Sequence, residues 1–183
     1  SRVSRDSGVH LVLAGPDPAG VADDPEAADV VEACRGRWES LAPEVRVRIH
    51  LALLPMADAE ENAVIVNALQ RWSTIVVQKS LAEGFGLTVS EAMWKSRPVV
   101  ASRVGGIQDQ IVDGDSGLLV DPTDLDAFAD AVSGLLADPA RATLIGARAK
   151  ERVRERFLGS RHLEQYVDLF ERLMRPVSDV TQS

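Results

Sequence analysis

The chain has 183 residues, the length of one ordinary domain, enough to bury roughly 70% of the surface its unfolded form would expose. It is 45% hydrophobic and 26% charged, which excludes a disordered chain, and its formal net charge of −8 argues against broad binding to nucleic acid or an anionic membrane. The single cysteine, Cys34, excludes an internal disulfide and a thiolate zinc cluster, and no run approaches the ~20 apolar residues of a membrane span.

Apolar runs alternate with helical patterns. "VHLVLAG" (residues 9–15) reads as a buried strand closed by Gly-Pro-Asp turn chemistry. A loop and a helix to about residue 41 follow; Cys34 falls on that helix, where a buried or half-buried place is expected. "VRVRIHLALL" (45–54) is a second strand, and Asp58 is placed to cap the helix "AEENAVIVNALQRW" (59–72). "STIVVQ" (73–78), "RPVVAS" (97–102) and "SGLLVDP" (116–122) are three more strands. The tail reads as helices over 124–137, 139–157 and 160–174, with a frayed end at 176–183. Strands alternating with helices imply an α/β fold, a doubly wound parallel sheet flanked by helices on both faces, here as one domain over 1–175. Ligands of such sheets sit beyond the carboxyl ends of the strands, where Gly15, Pro55, Glu83, Arg103 and Gly105 fall.

The stretch "QKSLAEGFGLTVSEAMW" follows the third strand and sets two carboxylates, Glu83 and Glu91, on either side of a Gly-Phe-Gly turn. "TVSE" (88–91) fits a capping box, with Thr88 as N-cap and Glu91 reaching back to its N–H. That plain structural reading leaves Glu83, Gly84 and Gly86 unexplained. Glycines allow close approach of another group. A helix start offers free N–H groups to an anion such as phosphate. Ionised carboxylates beside it accept hydrogen bonds only, which suits the many donors of a sugar.

In "EGFGLTVSEA" and "RPVVASRVGGIQDQIVDGDSGLLVDPTDLDAFADAVSGLLADP" the chain resembles family 4 retaining glycosyltransferases, enzymes of the two-lobed GT-B fold, over about residues 9–170. Within that family, "NALQRWSTIVVQKSLAEGFGLTVSEAMWKSRPVVA" is most similar to trehalose synthases using a nucleotide-diphosphoglucose, and to the retaining trehalose phosphorylases. The resemblance implies that the chain is most of one Rossmann-like, nucleotide-sugar-binding lobe. Glu83 would act in catalysis by contacting hydroxyls of the donor glucose, and Glu91 would accept from the ribose hydroxyls. Gly84, Phe85, Gly86, Leu87 and Thr88 would offer N–H groups to sugar and diphosphate, although the Phe85 side chain also reads as packing. Gly105 and Gly106 match the family's Gly-Gly turn. Lys79 is either a phosphate partner or an ordinary exposed lysine. Asp109 stands where the family usually has Glu, and "IQDQI" replaces the frequent "IPEVI".

By the same resemblance, a strand and helix carrying an Arg and a Lys that clamp the diphosphate would precede this segment, together with an acceptor lobe. Without them the chain alone would be inactive. The partners implied are a nucleotide-sugar donor and a sugar acceptor, with no cofactor, no metal, no nucleic acid and a cytoplasmic setting. An apolar exposed face would permit a homodimer. The histidines His10, His50 and His162 lack metal-ligand spacing and read as structural. Trp38, Trp72 and Trp94 read as core or lobe-contact residues. The reading from a different class is a nucleotide-binding or assembly module without catalysis.

Overall fold

A computed structural model describes residues 8–20 and 26–174, without the side chains of residues 160 and 162. The frayed end expected at 176–183 and the side chain of His162 fall outside these. Where the sequence suggested one body, the chain divides into two compact units, Ser1–Trp72 and Ser73–Ser183.

In the first unit, strand β1 (Leu11–Pro16) runs parallel to β2 (Ile49–Leu54), with Leu11 opposite Ile49 and Pro16 opposite Leu54. Helices α1 (Ala27–Glu39) and α2 (Pro43–Arg46) lie between them in sequence, and α3 (Ala59–Trp72) follows β2. The second strand starts at Ile49 and not at Val45. Pro43 occupies the first helical position, and Val47 donates its N–H to the Pro43 carbonyl at 3.2 Å, so this segment turns before it extends. The Trp38 indole N–H joins α1 to β2 through the Ile49 carbonyl at 2.8 Å. Asp58 caps α3 as expected, accepting from the N–H groups of Glu60 and Glu61 at 2.9 and 3.1 Å.

The expected burial of these strands is not met. Leu11 and Leu13 are 44% and 46% exposed, and only Leu54 and Gln70 are buried among the described residues of this unit. An apolar run states what a parallel strand needs covered; it does not supply the cover. Cys34 is exposed and Trp72 is 71% exposed, so neither belongs to a core. His10 and His50 pair side by side, Nδ1 to Nε2 at 2.9 Å.

The second unit has a core of its own. Strands β3 (Val76–Gln78), β4 (Val99–Ser102) and β5 (Leu118–Val120) form a parallel sheet in that order, so β4 is central and buried along its whole length. Side chains on a strand alternate between faces, and β4 feeds a separate cluster on each. Val99 and Ala101 pack with Val89, Ala92 and Met93 of α4 (Leu87–Trp94), Ile107 of α5 (Ile107–Gln110), and Ala149 and Val153 of α7 (Pro139–Arg156). Val100 packs with Phe128 and Leu135 of α6 (Leu125–Ala137) and with Ala142 and Ile145 of α7. Asp124 and Asp138 cap α6 and α7, accepting at 2.8 and 2.9 Å. The last helix, α8 (Gly159–Met174), leaves an apolar stripe of Leu163, Tyr166, Phe170 and Leu173 in solvent. No helix among the described residues is long and apolar enough to cross a membrane.

Candidate functional site

Two turns stand at the carboxyl ends of the adjacent parallel strands β3 and β4. The first runs through residues 79–86 into α4, and the second through residues 103–106 into α5, a short helix the sequence pattern did not reveal. They pack back to back through their main chains. A side chain at Gly105 would overlap the Glu83 carbonyl, and one at Gly106 would come to 2.5 Å from the Gly84 carbonyl. Gly106 N–H donates to that same Gly84 oxygen at 2.8 Å. Gly105 itself has φ 45, a conformation that favours glycine.

The next carbonyls are committed to the same side. Gln110, at the end of α5, donates its carboxamide N–H to the Phe85 oxygen and reaches the Gly86 oxygen at 3.4 Å. Gly86 also accepts from Val89 N–H at 2.9 Å. In a trans peptide the C=O and N–H of one unit point in opposite directions. With the carbonyls of Gly84, Phe85 and Gly86 held against the second turn, the N–H groups of Phe85, Gly86 and Leu87 face away from it. No acceptor for these three is found among the described residues. They open α4, so the helix dipole adds to their positive character.

The carboxylates flank this row. Half-buried Glu83 turns one oxygen, Oε1, onto its neighbour Gly84 N–H at 3.1 Å, and no donor for Oε2 is found among the described residues. Glu91 lies on the exposed face of α4, one turn beyond Leu87, while Val89, Ala92 and Met93 take the buried face. The capping box does not form as expected. Gly86, at φ 83 and ψ 59, is the N-cap, and Thr88 is already inside the helix. Its left-handed turn starts the helix two residues early, a conformation costing a non-glycine residue about 1–2 kcal/mol.

Gly84 differs from the other glycines here. A side chain there would meet nothing within 4 Å. The fold does not need a glycine at 84. The exposed Phe85 ring sits edge-on to Phe157, with centroids 6.0 Å apart, so its side chain packs as expected. Lys79 is exposed and places its ammonium 5.8 Å from the Phe128 ring centroid. Arg103 is tied to Asp113 at 2.5 Å and to the Leu119 carbonyl at 3.1 Å. Among Asp113's influences burial is the largest and raises its pKa, but the Leu119 and Gly114 N–H groups and the Arg103 guanidinium together hold it below the usual 3.8.

Gln110 was not foreseen, and its place is the core. It has no exposed surface, sits between Ile107 and Ile111 in the helical pattern, and is anchored from α7 by Arg152, which donates to the Gln110 and Asp109 carbonyls. A polar residue in an apolar position of "IQDQIV" was the available signal. Among the described residues no three His, Cys, Asp or Glu side chains stand together as metal ligands would. A cavity of about 420 Å³ in the first unit is lined by Arg35, Trp38, Glu39, Ile49, His50 and Leu51, none of them a candidate site residue.

Parallel sheets flanked by helices, with back-to-back glycine turns at the strand ends, define an α/β lobe of the kind found in GT-B glycosyltransferases. The chain belongs to the family described as "Glycosyl transferases group 1", which it matches over residues 5–152. It is similar to the trehalose synthases of Pyrococcus horikoshii (49% identical over 108 residues, 59% of this chain and 26% of that protein) and Rubrobacter xylanophilus (51% over 112 residues, 61% and 26%). It is also similar to the trehalose phosphorylase of Grifola frondosa (33% over 141 residues, 75% and 18%). Among solved structures, the sucrose-phosphate synthase of Thermosynechococcus elongatus superposes with a TM-score of 0.68 at 32% identity, over 90% of this chain and 38% of that one. The matched region thus spans about a quarter of the trehalose synthases.

Proposed function

We propose that this chain is the donor-binding lobe of a retaining hexosyltransferase, which moves glucose from a nucleotide-diphosphoglucose to a second glucose and so forms trehalose. The observation that carries the reading is the row of three N–H groups at Phe85, Gly86 and Leu87, turned outward and flanked by Glu83 and Glu91. Such a row suits a diphosphate. Negative charge grows on the diphosphate as the glycosidic bond breaks, so fixed donors favour the transition state over the ground state. Glu83 would hold hydroxyls of the departing glucose and Glu91 the ribose hydroxyls, with Thr88 beside them at the start of α4, while Gly105 and Gly106 brace the turn from behind. The acceptor hydroxyl attacks the face that the diphosphate leaves, which retains configuration. The nucleotide sugar is substrate, and the reading requires neither a metal nor another cofactor.

The choice of trehalose as product rests on similarity to trehalose synthases at 49% and 51% identity. The similarity to a trehalose phosphorylase, at 33%, supports a second reading in which glucose passes between trehalose and inorganic phosphate, with glucose 1-phosphate in place of the nucleotide sugar. Full-length protein assayed with nucleotide-diphosphoglucose and glucose, and separately with trehalose and phosphate, separates them. Trehalose formed without phosphate supports the synthase. Glucose 1-phosphate formed from trehalose and phosphate supports the phosphorylase, and no transfer in either mixture overturns the transferase reading.

A further inference from the structure

We propose that Gln110 is a positioning residue for this reaction: its buried carboxamide fixes the Gly-Phe-Gly turn so that the N–H groups of Phe85, Gly86 and Leu87 are aimed at the leaving diphosphate. The inference rests on the donor-lobe reading above. Gln110 has no exposed surface, and its Nε2 serves the Phe85 and Gly86 carbonyls together. Its Oε1 is equally buried and has no partner among the described residues. Packing alone does not account for such a residue, since an apolar side chain of the same shape would spare the stranded Oε1; what it would lose is the donor to the Phe85 carbonyl. Turning the carboxamide over would set Oε1 against two carbonyl oxygens. The donor pair is therefore what glutamine supplies and what methionine, leucine or an ionised glutamate lacks.

The arrangement also reaches outward from the turn. Arg152 of α7 holds the Gln110 and Asp109 carbonyls, the latter at 2.6 Å, so the end of α5 cannot drift from α7. Gln110 then carries that fixed position to the turn. Each held carbonyl turns the opposite N–H of its peptide outward. Without the clamp, the Phe85–Gly86 peptide is free to rotate, and a donor fixed before the reaction becomes one that must reorganise during it.

The test uses the full-length protein and compares wild type with Gln110→Met. Wild type should bind UDP, ADP or GDP more tightly than the matching nucleoside. If wild type neither prefers a diphosphate nor transfers glucose, the donor-lobe reading falls, and this assignment with it. If wild type does both, Gln110→Met should keep its thermal midpoint within a few degrees and lose about 10–100-fold in kcat. Its diphosphate affinity should weaken by about tenfold, and its nucleoside affinity should stay unchanged. Wild-type kcat in Gln110→Met, or equal losses for nucleoside and diphosphate, would overturn the positioning role. Should Gln110→Met fail to fold, the unaltered protein still decides by NMR. Amide signals of Phe85, Gly86 and Leu87 should shift with the diphosphate and not with the nucleoside; unmoved signals overturn the proposal.

Discussion

The carbonyl oxygen of Glu83 occupies the space that a side chain at Gly105 would need, although the two residues leave different strands and lie 22 positions apart in sequence. This contact explains why glycine at 105 serves the fold. Its left-handed φ of 45 adds about 1–2 kcal/mol to the steric cost of any substitution. Gly105→Ala is expected to destabilise the second unit by about 2–4 kcal/mol, read as a lower denaturation midpoint. A stability within about 0.5 kcal/mol of wild type would show that the turns can separate cheaply.

Gly84 gives the opposite expectation. A methyl group there meets nothing within 4 Å, so Gly84→Ala should leave stability within about 0.5 kcal/mol. If a donor molecule lies against this glycine, the same methyl will block it, and donor KM should rise at least about tenfold. Unchanged KM with unchanged stability would mean that no ligand approaches this peptide.

Glu83→Gln keeps the shape of the side chain and removes its charge. A hydrogen bond to a charged group contributes about 1.5–3 kcal/mol, so kcat/KM should fall roughly 10–100-fold or more while the circular dichroism spectrum is preserved. Near-normal turnover would remove Glu83 from the site.

Glu91→Ala is expected to weaken nucleotide binding by about 10–100-fold on the same scale. Calorimetry with a ribonucleotide and its 2′,3′-dideoxy analogue checks the role, because wild type should discriminate between them and the variant should not. Equal discrimination by both proteins would assign Glu91 to the helix surface alone.

Asp113 makes a pH-dependent contribution. Its pKa is depressed below 3.8, so the stability it adds is present above the unfolded-state pKa and disappears as pH falls through the lower folded value. The carboxylate and Arg103 are both about half exposed, at 45% and 47%, which limits the effect to about 0.5–1 kcal/mol. Asp113→Asn should be less stable than wild type at pH 7, with the gap closing below pH 3.8. Urea unfolding at pH 7 and pH 3 measures it; a constant gap would contradict the electrostatic account.

Much of this molecule follows from local chemistry, which the sequence states directly. Apolar runs set the strands at 11–16, 76–78, 99–102 and 118–120, and Asp58, Asp124 and Asp138 start helices because a short carboxylate accepts from N–H groups one turn on. The family resemblance and the pair Glu83 and Glu91 likewise lay in the order of residues. Three things required the chain to fold: that Gly86 and not Thr88 opens α4, that Gly105 lies against Glu83, and that Gln110 holds the Phe85 carbonyl. Each depends on the approach of segments about 20 or more residues apart, or on one dihedral angle. Composition and periodicity report what a residue prefers. They carry no information about which distant backbone will come to lie beside it.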